Sequence, residues 1–166
     1  MTLKLILMRH AKSAWGDPSQ DDFDRPLNGR GRSSSGKLGK WLADSGHLPG
    51  KVLVSGARRT VETWEHIVGH LPEAPQMESS PALYLGSAEM LLGVLQAQTD
   101  PTMLIIAHNP GIGDFAERMT NTAPTHEKFD KYPTGATTVL TFDAADWKDV
   151  TWRTGNVADF VVPREL

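Results

Sequence analysis

Short apolar runs recur along the chain, and three of them stop abruptly at charged or polar residues. The runs cover residues 3–8, 51–55 and 102–107, and a fourth covers 136–142. Runs of this length that are rich in strand-forming residues predict β-strands. Apolar residues recur at helical spacing between them, which predicts helices near 28–45, 59–71, 87–98 and 111–121. Asn28 and Ser87 are of the residue types that cap helix N-termini, so they are expected to precede the first and third helices.

This alternation of strands and helices predicts an α/β fold in which helices cover both faces of one sheet. The expected architecture is a three-layer α/β/α sandwich with a mostly parallel sheet. The segment from Val150 to Arg153 is expected to add a final antiparallel strand. A chain of 166 residues with 39% hydrophobic residues can bury one core of ordinary size, so a single domain over residues 1–166 is expected.

Charge and cysteine content exclude several classes of function. The formal net charge of −3 is too small to indicate binding to nucleic acid or to an anionic membrane surface. No apolar run has the length of a transmembrane helix, and residues 1–8 lack the basic start and long apolar centre of a signal peptide. The absence of cysteine excludes disulfides, thiol catalysis and thiolate metal sites. We therefore expect a cytoplasmic protein with no nucleic-acid and no membrane partner.

Basic residues and histidines follow three of the predicted strands. Arg9 and His10 follow the first, Arg59 follows the second near a helix start, and His108 follows the third. Side chains at the carboxyl ends of parallel strands meet at one edge of the sheet, where α/β proteins bind ligands. The helix expected after Pro110 adds an N-terminus that favours an anion. Together these residues predict a cationic pocket for a phosphoryl group, but they do not decide which histidine would attack it.

Three motifs, in order along the chain, resemble those of the histidine phosphatase superfamily, which includes cofactor-dependent phosphoglycerate mutases. They are Arg9-His10 before a small residue, Ser55 followed by Arg59 and Thr63, and Ala107-His108-Asn109-Pro110-Gly111. The segment from Asp22 to Gly31 is similar to that of the small SixA-type phosphohistidine phosphatase branch. The resemblance implies a phosphoglycerate mutase-like fold. It also implies that His10 is the nucleophile, that His108 is catalytic, and that Arg9, Arg59 and His108 bind the phosphate.

The implied chemistry is attack by a neutral imidazole. An unprotonated ring nitrogen can attack phosphorus and form a phosphohistidine intermediate that water then cleaves. Arg9, Arg59 and His108 would disfavour a charged His10 and so lower its pKa. The same cations would stabilise the phosphoryl oxygens in the transition state, so no metal and no cofactor are expected. Ser13 is either a further donor to the phosphate or a cap of the local loop.

The chain departs from the mutase-like members of the family at two positions. Those members carry an asparagine shortly after the nucleophile and a glutamate, in a Leu-x-Glu segment, that serves as general acid. Gly16 stands at the first position, and the segment from Pro81 to Leu85 has leucine where the acid would fall. Glu89 is the candidate substitute acid, or else an ordinary residue of a helix's first turn. A missing acid suits phosphohistidine as substrate, because its P–N bond is weak and solvent can protonate the departing imidazole.

The favoured function is therefore hydrolysis of phosphohistidine in a protein. Two alternatives stay open: a small-molecule phosphomonoesterase, and a phosphohistidine- or anion-binding module with low turnover. The expected partner is a phosphorylated protein or a small phosphate ester.

Other residues that could carry chemistry are expected to be structural. His66 and His70 have a spacing that could bind zinc on one helix face, but no third ligand accompanies them. The aspartates around Asp22 are expected to form a solvated loop rather than a catalytic carboxylate pair. The five tryptophans, Trp15 among them, are expected to pack in or against the core.

Overall fold

The computed structural model describes residues 2–166, which form one six-stranded sheet and four α-helices. The strands are β1 (Thr2–Arg9), β2 (Lys51–Val54), β3 (Gln76–Ser79), β4 (Thr102–Ala107), β5 (Thr137–Asp143) and β6 (Asn156–Val161). The helices are α1 (Gly29–Asp44), α2 (Arg58–Val68), α3 (Ala88–Gln96) and α4 (Gly111–Met119). Single turns of 3₁₀ helix lie at Asp22–Asp24, Pro81–Leu83, Trp147–Asp149 and Pro163–Glu165. No helix in this part of the chain is both long enough and apolar enough to cross a bilayer.

The sheet is mostly parallel, as the sequence predicts. Its strand order is β3-β2-β4-β1-β5-β6. The pairs β3–β2, β2–β4 and β4–β1 are parallel, whereas β5 is antiparallel to both of its neighbours. β1 lies between β4 and β5, so its carboxyl end is near the middle of the sheet edge.

Alternate residues of β1 face two separate cores, one on each side of the sheet. Leu5 and Leu7 pack in the core that also contains apolar residues of α3 and α4. Ile6 and Met8 pack in the core that contains apolar residues of α1 and α2. Each such side chain contributes roughly 1.5–3 kcal/mol when fully buried. Both faces of β1 are buried, which explains why its residues from Leu5 to Met8 are all apolar and why it lies near the centre of the sheet. The predicted three-layer α/β/α sandwich is confirmed.

The predicted caps of α1 and α3 are confirmed. The side chain of Asn28 accepts a hydrogen bond from the backbone N–H of Gly31 at 2.9 Å, and that of Ser87 accepts one from Met90 at 3.3 Å. Gly31 also packs so tightly against the backbone carbonyl of Lys12 that a Cβ there would overlap it. The start of α1 is thereby fixed against the loop that follows β1.

The prediction of a final strand over Val150–Arg153 is wrong. Residues 152–153 form a turn, and the last strand is β6, further along the chain. Trp152 packs on α4: its ring meets Phe115 edge to face, and the ring centroid lies 4.0 Å from the guanidinium of Arg118. β6 is an edge strand and contains Asn156 and Asp159, so its apolar signal is weak.

The sequence analysis also missed β3. All of its residues are exposed, and it pairs only with β2 at the other edge of the sheet. An edge strand without a buried face has no alternation of apolar and polar residues, so the hydrophobic pattern does not reveal it.

Candidate active site

The carboxyl ends of β1 and β4 bring the two histidines together. Arg9 is paired with Ala107 in the parallel ladder, and the backbone N–H of His10 donates to the Ala107 carbonyl at 3.1 Å. His10 and His108 therefore leave the sheet side by side, with ring centroids 5.2 Å apart. Both side chains are buried, at 5% and 3% exposed.

The hydrogen bonds around His10 fix which of its ring nitrogens is free. Nδ1 lies 2.7 Å from the carbonyl oxygen of Ala11, and a carbonyl can only accept, so Nδ1 carries the proton. In the neutral ring Nε2 is then left with its lone pair. The N–H of Ala11 donates to Thr63 on α2 at 3.0 Å, which holds this carbonyl in place. Burial lowers the pKa of His10 to about 3; the hydrogen bond to Ala11 opposes this, and His108, Arg9 and Arg59 reinforce it.

Arg59, at the start of α2, is buried and held by the 3₁₀ turn that precedes α1. Its Nη1 donates to the backbone carbonyl of Asp22 at 2.7 Å, and its Nη2 donates to the Asp22 carboxylate at 3.0 Å. The hydroxyl of Tyr84 donates to the same carboxylate oxygen at 2.7 Å. These bonds, with Tyr84 contributing most, lower the pKa of Asp22 to about 2. Asp22 is thus exposed, as expected, but it also positions Arg59, which the sequence analysis did not foresee.

Arg9 is attached to the loop before β5. Its Nη1 donates to the carbonyl of Tyr132 at 3.2 Å, and Asn109 donates to the same oxygen at 2.9 Å. Burial, and then the nearby Arg59, lower the pKa of Arg9 from its usual value. The carbonyl of Tyr132 therefore links, through two hydrogen bonds, the last residue of β1 and a residue that follows β4.

His108 is also held neutral. Its Nε2 lies 2.7 Å from the hydroxyl of Ser55, at the end of β2. Burial, followed by the charge of Arg59, lowers the pKa of His108 to about 4. If the Ser55 hydroxyl donates to Nε2, the ring proton is on Nδ1 and can be donated to a ligand.

Three buried nitrogens in this cluster have no hydrogen-bond partner among residues 2–166: Nε of Arg9, Nε of Arg59 and Nδ1 of His108. Buried polar groups in proteins are normally paired, so unpaired donors that surround one cavity indicate a missing acceptor. An anion with several oxygens, such as a phosphoryl group, would supply it.

The cluster surrounds a cavity of about 190 Å³. The predicted nucleophile His10 lines it together with the three main residues predicted to bind phosphate, Arg9, Arg59 and His108. Ser13 lines it as well and accepts a hydrogen bond from Arg25 at 2.8 Å, which leaves the Ser13 hydroxyl proton available. Within the described chain, no aspartate or glutamate lines this cavity. The cavity is therefore positively charged and has no carboxylic acid.

Leu85 lines the cavity. The family resemblance places this leucine where the general acid of the mutase-like members would fall. Leu85 has a positive φ of 55° and an exposed side chain. Glu89, the candidate substitute acid, does not line the cavity. It is fully exposed and forms an ion pair with Arg118, whose hydrogen bond lowers the pKa of Glu89. Glu89 is therefore not placed as a general acid of this cavity.

Two residues at the mouth of the cavity were not foreseen. Trp15 is 77% exposed, so the expectation that it packs in or against the core is wrong. The guanidinium of Arg25 lies 3.7 Å from the centroid of the Trp15 ring, and this cation–π contact stabilises the exposed indole. Arg25 also donates to the carbonyl of Ala14 at 3.0 Å. Arg25 lies in the segment from Asp22 to Gly31 that resembles the SixA-type branch, but the sequence did not show that its partner is Trp15.

The two histidines whose spacing could suggest zinc differ in their position relative to α2. His66 lies on α2, but His70 lies beyond the end of this helix at Val68, and both are exposed. In the range 2–166, no three histidine, aspartate or glutamate side chains are grouped closely enough to hold a metal ion.

Comparison with known proteins agrees with this geometry. Residues 5–99 match the histidine phosphatase superfamily (branch 1). An uncharacterized chloroplastic protein of Arabidopsis thaliana is 34% identical over an alignment of 128 residues that covers 70% of this chain. The chain covers 59% of the length of that relative.

Two similar solved structures each have the description "putative phosphohistidine phosphatase SixA". The structure from Nakamurella multipartitia has a TM-score of 0.81 and 25% identity, and the match covers 98% of this chain and 97% of the other. The structure from Agrobacterium tumefaciens has a TM-score of 0.79 and 26% identity, covering 97% of this chain and 98% of the other. The chain therefore belongs to the histidine phosphatase superfamily, and its phosphoglycerate mutase-like fold is of the SixA type.

Proposed function

We propose that the protein hydrolyses phosphohistidine in a phosphorylated protein, with His10 as the covalent nucleophile. The observation that carries the proposal is the state of His10. Its Nδ1 proton is donated to a backbone carbonyl, its Nε2 is free, and its pKa of about 3 keeps the ring neutral in any physiological medium. A neutral imidazole beside unpaired cationic donors is suited to attack a phosphoryl group.

The proposed reaction has two steps. The Nε2 lone pair of His10 attacks phosphorus, the new N–P bond forms, and the P–N bond of the substrate breaks in line. The departing imidazole takes a proton from solvent. Water then attacks the phosphorus of phosphorylated His10, releases inorganic phosphate and restores the free ring. Arg9, Arg59 and His108 stabilise the phosphoryl oxygens in both transition states, and Ser13 can donate a further hydrogen bond.

The lining of the cavity favours phosphohistidine over phosphate esters. An alkoxide leaving group needs a general acid, typically worth 10²–10⁴-fold in rate. Leu85 supplies no proton, and Glu89 is engaged by Arg118 outside the cavity. An imidazole leaving group needs no positioned carboxylic acid, because solvent can protonate it. The proposed substrate is therefore the one whose leaving group matches the groups present.

A turnover screen with a trapping experiment tests the proposal. The substrates are a phosphohistidine peptide and a series of phosphate esters with graded leaving-group pKa. We expect rapid hydrolysis of phosphohistidine and of activated aryl phosphates, and poor hydrolysis of phosphoserine and sugar phosphates. Label from ³²P-phosphohistidine should be trapped on His10 as an acid-labile, alkali-stable adduct. The variant His10→Ala should lose several orders of magnitude in kcat, while His66→Ala should match the wild type.

The other outcomes each identify a different function. Equal hydrolysis of alkyl and aryl esters would contradict the phosphohistidine assignment and favour a small-molecule phosphomonoesterase. Tight binding of phosphohistidine without turnover would favour a binding module. We also propose that activity needs no metal, since the phosphate ligands are Arg9, Arg59 and His108. Loss of activity in EDTA that zinc or magnesium restores would contradict this part.

A further inference from the structure

A second concave surface, here called the basic groove, adjoins the candidate active site. It has a volume of about 540 Å³. Six of its twelve lining residues are basic, and none of the twelve is acidic: Lys12, Arg30, Lys37, Lys128, Lys131 and Arg164. These six are a large share of the 17 lysines and arginines in a chain whose net charge is −3. Positive charge is therefore concentrated at one place on an otherwise mildly acidic protein.

The six cations of the basic groove are not neutralised by the protein itself. Within residues 2–166, none of their side chains forms an ion pair or a hydrogen bond, whereas six other lysines and arginines do form ion pairs. Five of the six side chains in the groove are exposed, and Lys128 is half-buried. Like charges that converge without counter-charges repel one another, so a bound anionic partner would relieve this repulsion.

The basic groove is continuous with the cavity that contains His10. Lys12 and Thr134 line both concavities. Lys12 follows the nucleophile by two residues, and its backbone is fixed by the close approach of Gly31 on α1. A partner whose phosphohistidine enters the smaller cavity would therefore place its neighbouring surface over the groove.

The types of cation indicate what kind of anion fits. At the proposed phosphate site the guanidiniums are closely held, with Arg59 buried and Arg9 half-buried. The groove instead presents four lysines and two arginines on four separate segments of the chain, most of them exposed. Lysine ammoniums are flexible point charges that suit several dispersed carboxylates rather than one planar or tetrahedral group. Such charges also accelerate encounter with an oppositely charged surface.

We propose that the basic groove docks an acidic surface of the protein that carries the phosphohistidine. The inference rests on the proposed function, because it assigns the remainder of the same substrate. Aspartates and glutamates flanking the phosphohistidine would face the groove while the phosphoryl group faces His10. The groove then selects among phosphoproteins, and the smaller cavity performs the chemistry.

Two peptides of equal length test the proposal, one with phosphohistidine flanked by aspartates and one with phosphohistidine flanked by serines. The wild type should cleave the aspartate peptide with at least ~10-fold higher kcat/KM at low salt, and the preference should shrink in 0.5 M NaCl. The double variant R30E/K37E should lose the preference and keep the wild-type rate on an aryl phosphate. The matched control K40E/K148E changes the net charge equally, and one of its substitutions lies on the same helix, yet it should keep the preference.

A binding measurement separates failure of docking from failure of the proposed function. The probe is a fluorescein-labelled aspartate-rich peptide without phosphate, followed by anisotropy. Binding by the wild type and the control but not by R30E/K37E would support docking even if no phosphohistidine peptide were turned over. Equal kcat/KM on both peptides would overturn the proposal, as would a preference that survives in R30E/K37E. Saturable binding of inorganic tripolyphosphate that the aspartate peptide cannot displace would also overturn it, and would assign the groove to a small polyanion.

Discussion

The neutral state of the two site histidines makes the stability of the protein depend on pH in a way that one substitution can isolate. His10 and His108 have pKa values of about 3 and about 4 in the folded protein, against 6.5 for an unperturbed ring. Between these values the unfolded chain binds protons that the folded protein does not. The contribution of the two neutral histidines to stability is therefore fully present above about pH 6.5, and it is lost as the pH falls toward their folded-state pKa values of about 4 and about 3.

The expected loss of unfolding free energy follows from the pH interval over which the two histidine rings are charged in the unfolded chain but neutral in the folded protein. Lowering the pH from 7 to 5 crosses about 1.5 units of that interval, and each unit corresponds to about 1.4 kcal/mol per ring. Between pH 7 and pH 5, each histidine should therefore lower the free energy of unfolding by about 2 kcal/mol, and the pair should lower it by about 4 kcal/mol. That is a large part of the 5–15 kcal/mol by which domains are usually stable.

The variant His10→Asn isolates one of the two contributions. The asparagine amide can donate to the carbonyl of Ala11 as Nδ1 of the ring does, so the local fold is retained. Urea unfolding followed by tryptophan fluorescence at pH 7 and pH 5 should show that the variant loses about 2 kcal/mol less than the wild type. The control His66→Asn changes an exposed histidine of α2 and should keep the pH dependence of the wild type.

An identical loss in His10→Asn and in the wild type would refute the reasoning, because it would mean that His10 is protonated in the folded protein. NMR titration of the imidazole protons gives an independent test. The ring signals of His10 should not shift between pH 8 and pH 5 in the wild type. A midpoint near 6.5 would also remove the basis for a neutral nucleophile.

Three further predictions concern single residues. Leu85→Glu places a carboxylic acid in the cavity and should raise kcat/KM on alkyl phosphates by roughly 10²-fold, as measured by phosphate release. Asp22→Asn removes the charge that holds Arg59 and should lower kcat/KM by about 10-fold, the loss expected from about 1.4 kcal/mol, with no change in melting temperature beyond a few degrees. Gly31→Ala forces a Cβ onto a backbone carbonyl and should destabilise the protein by about 2 kcal/mol or more in urea unfolding, whereas Gly93→Ala, in open space on α3, should be neutral or stabilising.

The predictable part of the fold and the site rests on local signals. The buried strands β1, β2 and β4 are mostly apolar, and β5 is rich in strand-forming residues. The helices have periodic apolar faces, and α1 and α3 begin at side-chain caps. Arg9, His10, Arg59 and His108 stand directly at strand ends or helix starts, so topology alone brings them to one edge. Their assignment to separate roles came from the family resemblance and not from the pattern.

The features that escaped prediction depend on contacts between distant segments. Asp22 is one of several aspartates in a polar loop, and only the folded chain shows that it meets Arg59 and Tyr84. Trp15 is as hydrophobic as any buried tryptophan, but it stacks on Arg25 at the surface. The basic groove combines residues from four segments with no common motif. Periodicity and composition report the environment of a residue's own element, and these contacts lie between elements.

The absence of an acid in the cavity and the neutrality of His10 are physically linked. A carboxylate beside an imidazole stabilises the charged ring and raises its pKa. Burial lowers the pKa of His10, and His108, Arg9 and Arg59 lower it further. A cavity lined by Leu85 therefore keeps its nucleophile neutral to lower pH than a cavity with glutamate at that position. The residue at position 85 therefore has opposite effects on two properties: a glutamate favours hydrolysis of phosphate esters, whereas a leucine keeps His10 neutral at lower pH. Leu85→Glu should gain activity on alkyl phosphates and, by the same substitution, raise the pKa of His10 in the NMR titration. A gain in ester hydrolysis with an unchanged His10 titration would show that the two properties are independent.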